Sequence, residues 1–364
     1  MKKRILFVIP SLTQANGIPA FLINYMKNMD LTKFDITILS SNLRPSPDYM
    51  NFFRERDIKC FFINDLRKDG FVKYYKSLKK FFKENHKFDL IYSNIANQSL
   101  FIFYVAKKYG IKKYAIHSHA TMSSSNKLKM IINNIMTNIV LHKTNNYFAC
   151  SELAGKYMFK NKKFTVINNA VDYDKFKFSK NNRQEIRKKY DISENDFIVG
   201  FVGRFAPQKN IYFFINLIKD YNPDLKIMMI GTGTQKNDFV KKCSEYKIND
   251  KFIFIDECSD VYKYYSAFDL FILPSNFEGL PVVAIEAQAN GLKCLLSDTI
   301  TKESKILEET EFFDRNDFNG CYDKIKDKSK IIESHFEEKI LDDKFNILIQ
   351  SKKFEKILIN LCKE

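Results

Sequence analysis

Two glutamates with seven residues between them are the most informative pair of side chains in this sequence. Glu278 lies in a loop after the apolar segment 270–274, and Glu286 lies on a helix predicted to begin at Pro281. A strand that leads into a helix in this way brings free backbone N–H groups to the carboxyl edge of a sheet, where open α/β folds bind anions. A carboxylate there can accept hydrogen bonds from sugar hydroxyls. Spacing alone also allows a loop carboxylate and a helix surface charge, and neither glutamate is predicted to occupy a core position.

Two cations follow a second predicted strand, at residues 197–202. Gly203 allows a ligand to approach the backbone, and Arg204 and Lys209 follow it in the same segment. Paired cations stabilise the negative charge that develops on a leaving diphosphate. The alternative is two surface cations in a very basic chain.

Histidine and glycine residues follow strands in the first half of the chain. His117 and His119 lie at the end of the predicted strand 113–117, and either of them could be a hydrogen-bonded loop histidine. Gly17 closes a loop, 13–17, after the first strand. A single glycine is not the G-x-G-x-x-G fingerprint of dinucleotide folds, so the sequence disfavours a nicotinamide enzyme.

The segments that carry these residues alternate between strands and helices, which predicts an α/β protein with parallel sheets. A polar segment rich in Lys and Asn, 173–191, separates two such series and is predicted to be the domain boundary. The predicted domains are residues 1–175, completed by a C-terminal helix at about 345–364, and residues 176–344. The predicted strands are 4–9, 34–39, 57–63, 90–93, 113–117, 147–150, one near 164–172, 197–202, 226–230, 252–255, 270–274 and 293–297. The predicted helices are 19–29, 71–84, 128–141, 210–221, one ending near 246, 260–267, 281–290 and most of 336–363.

Length and composition fit this division. A chain of 364 residues with 45% hydrophobic residues can bury two cores. The apolar run 5–9 is too short for a signal peptide and suits a first strand, so we expect a cytoplasmic protein. The seven cysteines form no C-x-x-C pair and the five histidines are scattered, which predicts reduced thiols and no metal site.

The net charge of +16 indicates either a compositional bias or a negatively charged partner. Nucleic acid is disfavoured, because no helix-turn-helix, zinc-finger, RNP or KH pattern is present. Aromatic residues and lysines share the predicted helix 71–84, and Lys127, Lys129 and Met130 open a second basic apolar helix. These helices predict peripheral attachment to an anionic membrane surface, unless they are core faces backed by solvated lysines.

Taken together, the motifs resemble those of the retaining glycosyltransferases of family 4, which have the GT-B fold. The signature of that family is Glu, seven residues, Glu, and here it is Glu278-Gly-Leu-Pro-Val-Val-Ala-Ile-Glu286. The resemblance extends over 149–152, 166–172, 200–210, 230–233 and 260–298. Segments 286–292 and 297–303 resemble the bacterial branch that builds capsular or exopolysaccharide units.

The resemblance implies two Rossmann-like domains facing a cleft and a role for each candidate residue. Arg204 and Lys209 would hold the donor diphosphate, beside Gly203, and Glu286 would bind the ribose. Glu278, with the backbone of Gly279 and Leu280, would hold the transferred sugar, and His117 would contact it. Gly17 matches the phosphate-side loop, although Asn16 replaces the first of the two glycines usual there. The family needs no divalent metal, and no Asp-x-Asp motif is present.

The implied function is retaining, metal-independent transfer of a sugar from a nucleotide sugar, by resemblance a UDP-sugar, in cell-surface polysaccharide assembly. The acceptor would be a glycan linked to polyprenyl diphosphate at the inner face of the cell membrane. The alternatives are a sugar-nucleotide epimerase or a phosphorylase on the same fold, and a nucleotide-sugar-binding module without activity.

Overall fold

The computed structural model describes residues 2–13, 17–41, 45–95, 97–119, 127–144, 146–221, 225–335 and 341–363. The chain divides into two compact units. Unit 1 comprises residues 1–169 and 347–364, and unit 2 comprises residues 170–346. The chain enters and leaves unit 2 at adjacent positions, because the N–H of Val171 donates to the carbonyl of Phe345 at 2.9 Å.

Each unit contains a parallel sheet. Within the described ranges, unit 1 has seven strands in the order β3-β2-β1-β4-β5-β6-β7, and unit 2 has six in the order β10-β9-β8-β11-β12-β13. The strands are β1 Lys3–Ile9, β2 Phe34–Ser40, β3 Lys59–Phe62, β4 Leu90–Ser93, β5 Tyr114–Ser118, β6 Asn146–Ala149, β7 Thr165–Val166, β8 Ile198–Val202, β9 Lys226–Ile230, β10 Phe252–Ile255, β11 Leu270–Leu273, β12 Cys294–Ser297 and β13 Glu311–Phe313.

Helices connect most of these strands. They are α1 Gly17–Lys27, α2 Pro47–Glu55, α3 Gly70–Glu84, α4 Ser99–Lys108, α5 Lys127–Val140, α6 Glu152–Phe159, α7 Tyr173–Phe176, α8 Lys180–Lys189, α9 Phe213–Asn216, α10 Lys236–Glu245, α11 Val261–Tyr265, α12 Val282–Ala289, α13 Phe318–Ile325, α14 Lys328–His335 and α15 Ile347–Lys363. Parallel strands alternating with helices confirm the predicted α/β class.

The central strands are largely apolar because helices cover both faces of a parallel sheet. Ile5 to Ile9 of β1 are at most 1% exposed, and every residue of β11 is fully buried. This burial explains why segments 5–9 and 270–273 are apolar runs in the sequence.

The strand order reverses at one place in each sheet. In unit 1, β1 pairs with β2 on one side and with β4 on the other. In unit 2, β8 pairs with β9 and β11 in the same way. Connections diverge from such a switch point, which leaves a crevice at the carboxyl ends of the two central strands, where α/β folds bind ligands.

The C-terminal helix α15 packs in unit 1 against α1. The ring centroid of Phe354 lies 5.3 Å from that of Tyr25 and 6.4 Å from that of Phe21. Ser351 Oγ donates to the carbonyl of Asn28 at 3.1 Å. The predicted helix at 336–363 begins later than expected, at Ile347, and residues 336–340 lie outside the described ranges.

The polar segment predicted to be the domain boundary, 173–191, contains two helices, α7 and α8. Its two arginines, Arg183 and Arg187, are 5% and 1% exposed, and both bind the fully buried carboxylate of Asp269 at 2.7 Å. Asp269 also accepts the N–H of Ile198 at 2.7 Å, which fixes α8 to the start of β8. The polar segment therefore includes a helix, α8, whose buried face carries an ionic cluster.

Two further differences concern helix ends. The predicted helix 210–221 is only the single turn α9 followed by a π-helical turn, Leu217–Tyr221. Pro281 was predicted to lie in the first turn of α12, but it is the N-cap residue and has an extended conformation. The structure also has strand β13 and helices α2, α4, α6, α13 and α14, which the sequence does not predict.

Candidate functional site

In unit 2, the loops after β8 and β11 are tied together at the switch point. Gln208 donates through Nε2 to the carbonyl of Phe277 at 3.1 Å and to Glu278 Oε2 at 3.3 Å. Asn276 donates from its backbone to Gln208 O and from its side chain to Pro207 O, both at 2.7 Å. The two loops that carry the predicted cations and the predicted sugar-binding glutamate thus form one hydrogen-bonded structure.

A third loop, after β9, approaches the backbone of Gly203 in the loop after β8. Gly231 has a φ of +141°, and a Cβ on it would lie 2.2 Å from the carbonyl oxygen of Gly203. The N–H of Phe205 donates to Thr232 O at 2.9 Å. Only glycine at position 231 allows this contact, so the Gly-x-Gly turn there has a structural reason for its glycines.

The two predicted cations have different surroundings. Arg204 is exposed, and within the described part of the chain it has no carboxylate partner. Lys209 follows Arg204 in the same loop, but its Nζ donates to Glu278 Oε1 at 2.6 Å. Arg204 is therefore available to an anionic ligand, whereas Lys209 is shared with the glutamate.

Glu278 is buried, at 8% exposure, as are its neighbours Gly279 and Leu280. The expectation that this glutamate lies outside the core is therefore wrong. The loop after β11 is held by Gln208 and Lys209, which both bond to the Glu278 carboxylate. A buried carboxylate needs such compensation, because a charge removed from water is costly unless it is paired.

Glu286 lies half-buried on α12 and is not a plain surface charge. Its Oε2 accepts a hydrogen bond from Tyr265 Oη at 2.8 Å. Burial raises the pKa of Glu286 to about 7, while the Tyr265 hydrogen bond and the charge of Lys175 act in the opposite direction. Tyr265 is a site residue that sequence reasoning missed, because nothing in its local sequence indicates the contact.

In unit 1, His117 lies inside the sheet and is 1% exposed. Its Nδ1 is 3.0 Å from Tyr92 Oη. Burial raises the pKa of Tyr92 well above its ordinary value, so the phenol stays protonated and can donate to Nδ1. The proton of the neutral ring then lies on Nε2, and among the described residues this buried atom has no hydrogen-bond partner.

His119 follows β5 and is only half-buried. Its Nε2 lies 2.8 Å from Oδ1 of Asn94, whose Nδ2 donates to Val8 O at 3.2 Å. The two imidazole rings stack with their centroids 4.0 Å apart. Burial lowers the pKa of both histidines, to about 3 for His119, so both rings are neutral at physiological pH. Asn94 and Tyr92 are again contacts that the sequence did not reveal.

Gly17 is the first residue of α1, and a Cβ placed on it would meet no atom within 4 Å. The other residues of the predicted phosphate-side loop, 14–16, lie outside the described ranges. In the described ranges no cluster of three or more His, Cys, Asp or Glu side chains could hold a metal ion, and all seven cysteines are free thiols.

Comparison with known proteins finds a family match over most of unit 2. Residues 182–345, which include the loops after β8, β9 and β11, match the family described as "Glycosyl transferases group 1". The chain is 25% identical over 348 residues to the UDP-Gal:alpha-D-GlcNAc-diphosphoundecaprenol alpha-1,3-galactosyltransferase of Escherichia coli, covering 90% of this chain and 85% of that one. It is 26% identical over 266 residues to the capsular polysaccharide biosynthesis glycosyltransferase CapH of Staphylococcus aureus, covering 70% of each.

The fold also matches solved structures along its whole length. HepE of Anabaena in complex with UDP aligns with a TM-score of 0.78 at 17% identity, covering 99% of this chain and 100% of that one. This agreement confirms the predicted fold class. Among the described residues, no helix is both long enough and apolar enough to cross a bilayer.

Proposed function

We propose, from the premise that the chain is a group 1 glycosyltransferase, that it transfers a sugar from a UDP-sugar to a lipid-linked glycan with retention of configuration. The observation that carries this proposal is the constellation in unit 2. The exposed cation Arg204, the Lys209–Glu278 ion pair and the half-buried Glu286 all follow or adjoin strands at one switch point. In this proposal a cation binds the diphosphate and carboxylates bind hydroxyl groups at the same edge of the sheet.

In this proposal each group has one task. Arg204 and Lys209 bind the diphosphate and neutralise the charge that grows on it as it leaves, which is the task a divalent metal performs in other transferases. Glu286 accepts hydrogen bonds from the ribose hydroxyls. Glu278, with the backbone of Gly279 and Leu280, holds the transferred sugar, and Gly203 lies on the diphosphate side.

The bond changes balance without a protein nucleophile. The bond between the anomeric carbon and the UDP oxygen breaks, and a bond to an acceptor hydroxyl forms on the same face of the sugar. The acceptor proton passes to the leaving phosphate oxygen. Catalysis then consists of positioning and charge stabilisation.

The proposal gives both histidines of unit 1, His117 and His119, a role. The sequence assigned the sugar contact to His117, but His119 is the more exposed ring. We therefore assign the direct contact to His119 and place His117 behind it, where its stacked ring holds that of His119. Gly17 remains a proposed donor-side residue.

The donor and acceptor classes rest on the relatives. The Escherichia coli relative is named for a UDP-galactose donor and a diphosphoundecaprenol acceptor, and HepE was solved with UDP. The alternatives, an epimerase or an inactive binding module, are not favoured, because the named relatives are transferases of polysaccharide assembly.

Replacing Arg204 with alanine tests the donor site. We expect UDP to bind the wild-type protein and to bind the Arg204→Ala variant roughly 10- to 100-fold more weakly, because a charge-assisted hydrogen bond contributes about 1.5–3 kcal/mol. Isothermal titration calorimetry with UDP measures this. Lys241→Ala, which removes an exposed cation from α10, is the control and should bind UDP normally. Equal affinity in Arg204→Ala and Lys241→Ala would place the diphosphate elsewhere.

A surface of unit 1, formed by α3, α4 and α5 and here called the α3–α5 face, suits an anionic membrane. Phe71 of α3 contacts Phe101 of α4 with ring centroids 5.1 Å apart, and Asn97, just before α4, donates to Asn133 of α5 at 2.6 Å. The exposed apolar side chains of this face are Phe71, Val72, Tyr104, Ile131, Ile132, Ile135 and Ile139, and exposed lysines accompany them at 73, 76, 79, 80, 83, 107 and 108. The side chains of Lys127, Lys129 and Met130 lie outside the described structure.

The combination of exposed isoleucines and lysines is typical of helices that lie in a membrane interface, and we propose peripheral binding at the inner face of the cell membrane. We expect the protein to sediment with anionic vesicles and less so as salt increases. The double variant Ile131→Asn/Ile135→Asn should bind less, whereas Leu348→Asn, an equally exposed residue on α15, should bind normally. Equal recovery on neutral and anionic vesicles would contradict the proposal.

A further inference from the structure

Tyr265, at the end of α11, is fully buried although it carries a polar hydroxyl. Its ring is enclosed by Phe176, Phe268 and Phe271, with centroid distances of 5.7, 5.8 and 6.0 Å. This packing fixes the direction of the phenol group. A tyrosine in such a position needs a partner for its hydroxyl, because an unpaired buried hydroxyl costs free energy.

The partner is the carboxylate of Glu286. Tyr265 Oη donates to Oε2 at 2.8 Å and lies 3.3 Å from the carbonyl of Val283, one turn earlier on α12. Burial and the neighbouring carboxylate raise the pKa of the phenol well above its ordinary value, so the hydroxyl remains a donor. Within the described ranges, the second oxygen of Glu286, Oε1, has no hydrogen-bond partner.

We propose that Tyr265 is a positioning residue, which occupies one oxygen of Glu286 so that the other is presented to a vicinal diol of the nucleotide. The inference rests on the proposed function, since it assumes that Glu286 faces the ribose. A carboxylate oxygen has two lone pairs and can accept from both hydroxyls of a ribose. A 2′-deoxyribose offers only one, so the arrangement selects a ribonucleotide.

The same contact sets the charge of Glu286. The groups that face the carboxylate are Tyr265 from α11 and Lys175 from α7, and both favour its charged form against the effect of burial. Because the charged form accepts the diol, UDP affinity falls as the pH is lowered through about 7, the pKa of Glu286. Removing the phenol hydroxyl raises this pKa further, so the fall in affinity begins at a higher pH.

The test is calorimetry of Tyr265→Phe with UDP and with 2′-deoxy-UDP between pH 5.5 and 8.5. We expect UDP to bind about tenfold more weakly than to the wild type at pH 7, with a pH midpoint displaced upward. We also expect a smaller preference for UDP over 2′-deoxy-UDP. Turnover at saturating donor should stay near the wild-type value, because the contact is to the nucleoside. Glu286→Gln gives the baseline for the pH dependence of UDP affinity. It has no carboxylate at this position, so the titration of the UDP phosphate remains.

Tyr264→Phe is the matched control, since Tyr264 is the neighbouring buried tyrosine and its hydroxyl lies 3.3 Å from that of Tyr190. It should leave UDP binding unchanged, and thermal unfolding of both variants checks that they are folded. Wild-type affinity and pH dependence in Tyr265→Phe would overturn the positioning role and leave the proposed function intact. A wild-type protein that binds no UDP would overturn the proposed function itself, and this inference with it.

Discussion

Replacing Glu278 with glutamine is expected to lower turnover by about 100- to 1,000-fold, the loss typical when one preorganised charge-stabilising group is removed. Positive charge develops at the anomeric carbon as the bond to UDP breaks, and a nearby carboxylate stabilises it more in the transition state than in the bound donor. Glu278 is 8% exposed, so little water competes with it for that charge. Affinity for free UDP should stay nearly unchanged, because UDP lacks the transferred sugar that Glu278 is proposed to hold.

Glu286→Gln provides the contrast that makes this expectation specific. Glu286 is expected to contact the nucleoside, where the interaction is similar in ground and transition states. The Michaelis constant for the donor should rise about tenfold and free UDP should bind correspondingly more weakly, while turnover is largely kept. Donor kinetics and UDP calorimetry on both variants measure the difference.

The ion pair of Glu278 requires one control. Lys209 loses its charged partner in Glu278→Gln, so thermal unfolding must show that the variant remains folded. Lys209→Ala is also expected to reduce turnover strongly, since it removes both a diphosphate contact and the partner of Glu278. If Glu278→Gln loses UDP affinity while Glu286→Gln keeps it, the two roles are reversed.

Replacing Asp269 with asparagine is expected to destabilise unit 2 by about 3–5 kcal/mol, the usual result of removing one partner from a buried ion pair. Asp269 is fully buried and binds Arg183 and Arg187, so both buried cations would lose its charge. Arg183 would keep only the exposed Glu194, whose Oε2 lies 3.8 Å from its Nε. Chemical denaturation in urea measures the loss of stability.

Glu185→Gln is the control for this expectation, because Glu185 is on the same helix, α8, and forms an ion pair with Lys263 at the surface. Exposed ion pairs contribute little, so its unfolding midpoint should be close to that of the wild type. An Asp269→Asn protein as stable as Glu185→Gln would show that the buried cluster does not hold α8 to the sheet.

The sequence predicts most strands of the two sheets because the central strands are buried on both faces and are therefore mostly apolar. β9 and β10 have the predicted bounds, Lys226–Ile230 and Phe252–Ile255. Helix α8 was missed for the opposite reason. Its Lys, Arg and Asn residues are typical of a linker, and its buried arginines become reasonable only once Asp269, more than 80 positions away, is known to lie beside them.

In the candidate site, too, local features could be predicted from the sequence and long-range contacts could not. The spacing of Glu278 and Glu286, and the position of Arg204 after a strand, are local features that the sequence displays. The Lys209–Glu278 pair joins residues 69 positions apart, and the Tyr265–Glu286 bond joins residues 21 apart. Such contacts depend on which strands become neighbours at the switch point, which no local pattern specifies.

The most direct test of the account is a transfer assay with a panel of radiolabelled UDP-sugars and a polyprenyl-diphosphate-linked saccharide presented in anionic vesicles. We predict that one sugar is transferred to the lipid-linked acceptor with equimolar release of UDP, that its anomeric configuration in the product equals that in the donor, and that chelation of divalent metals does not stop the reaction. Conversion of a UDP-sugar into another UDP-sugar without acceptor, a product of inverted configuration, or no transfer from any donor of the panel would contradict it.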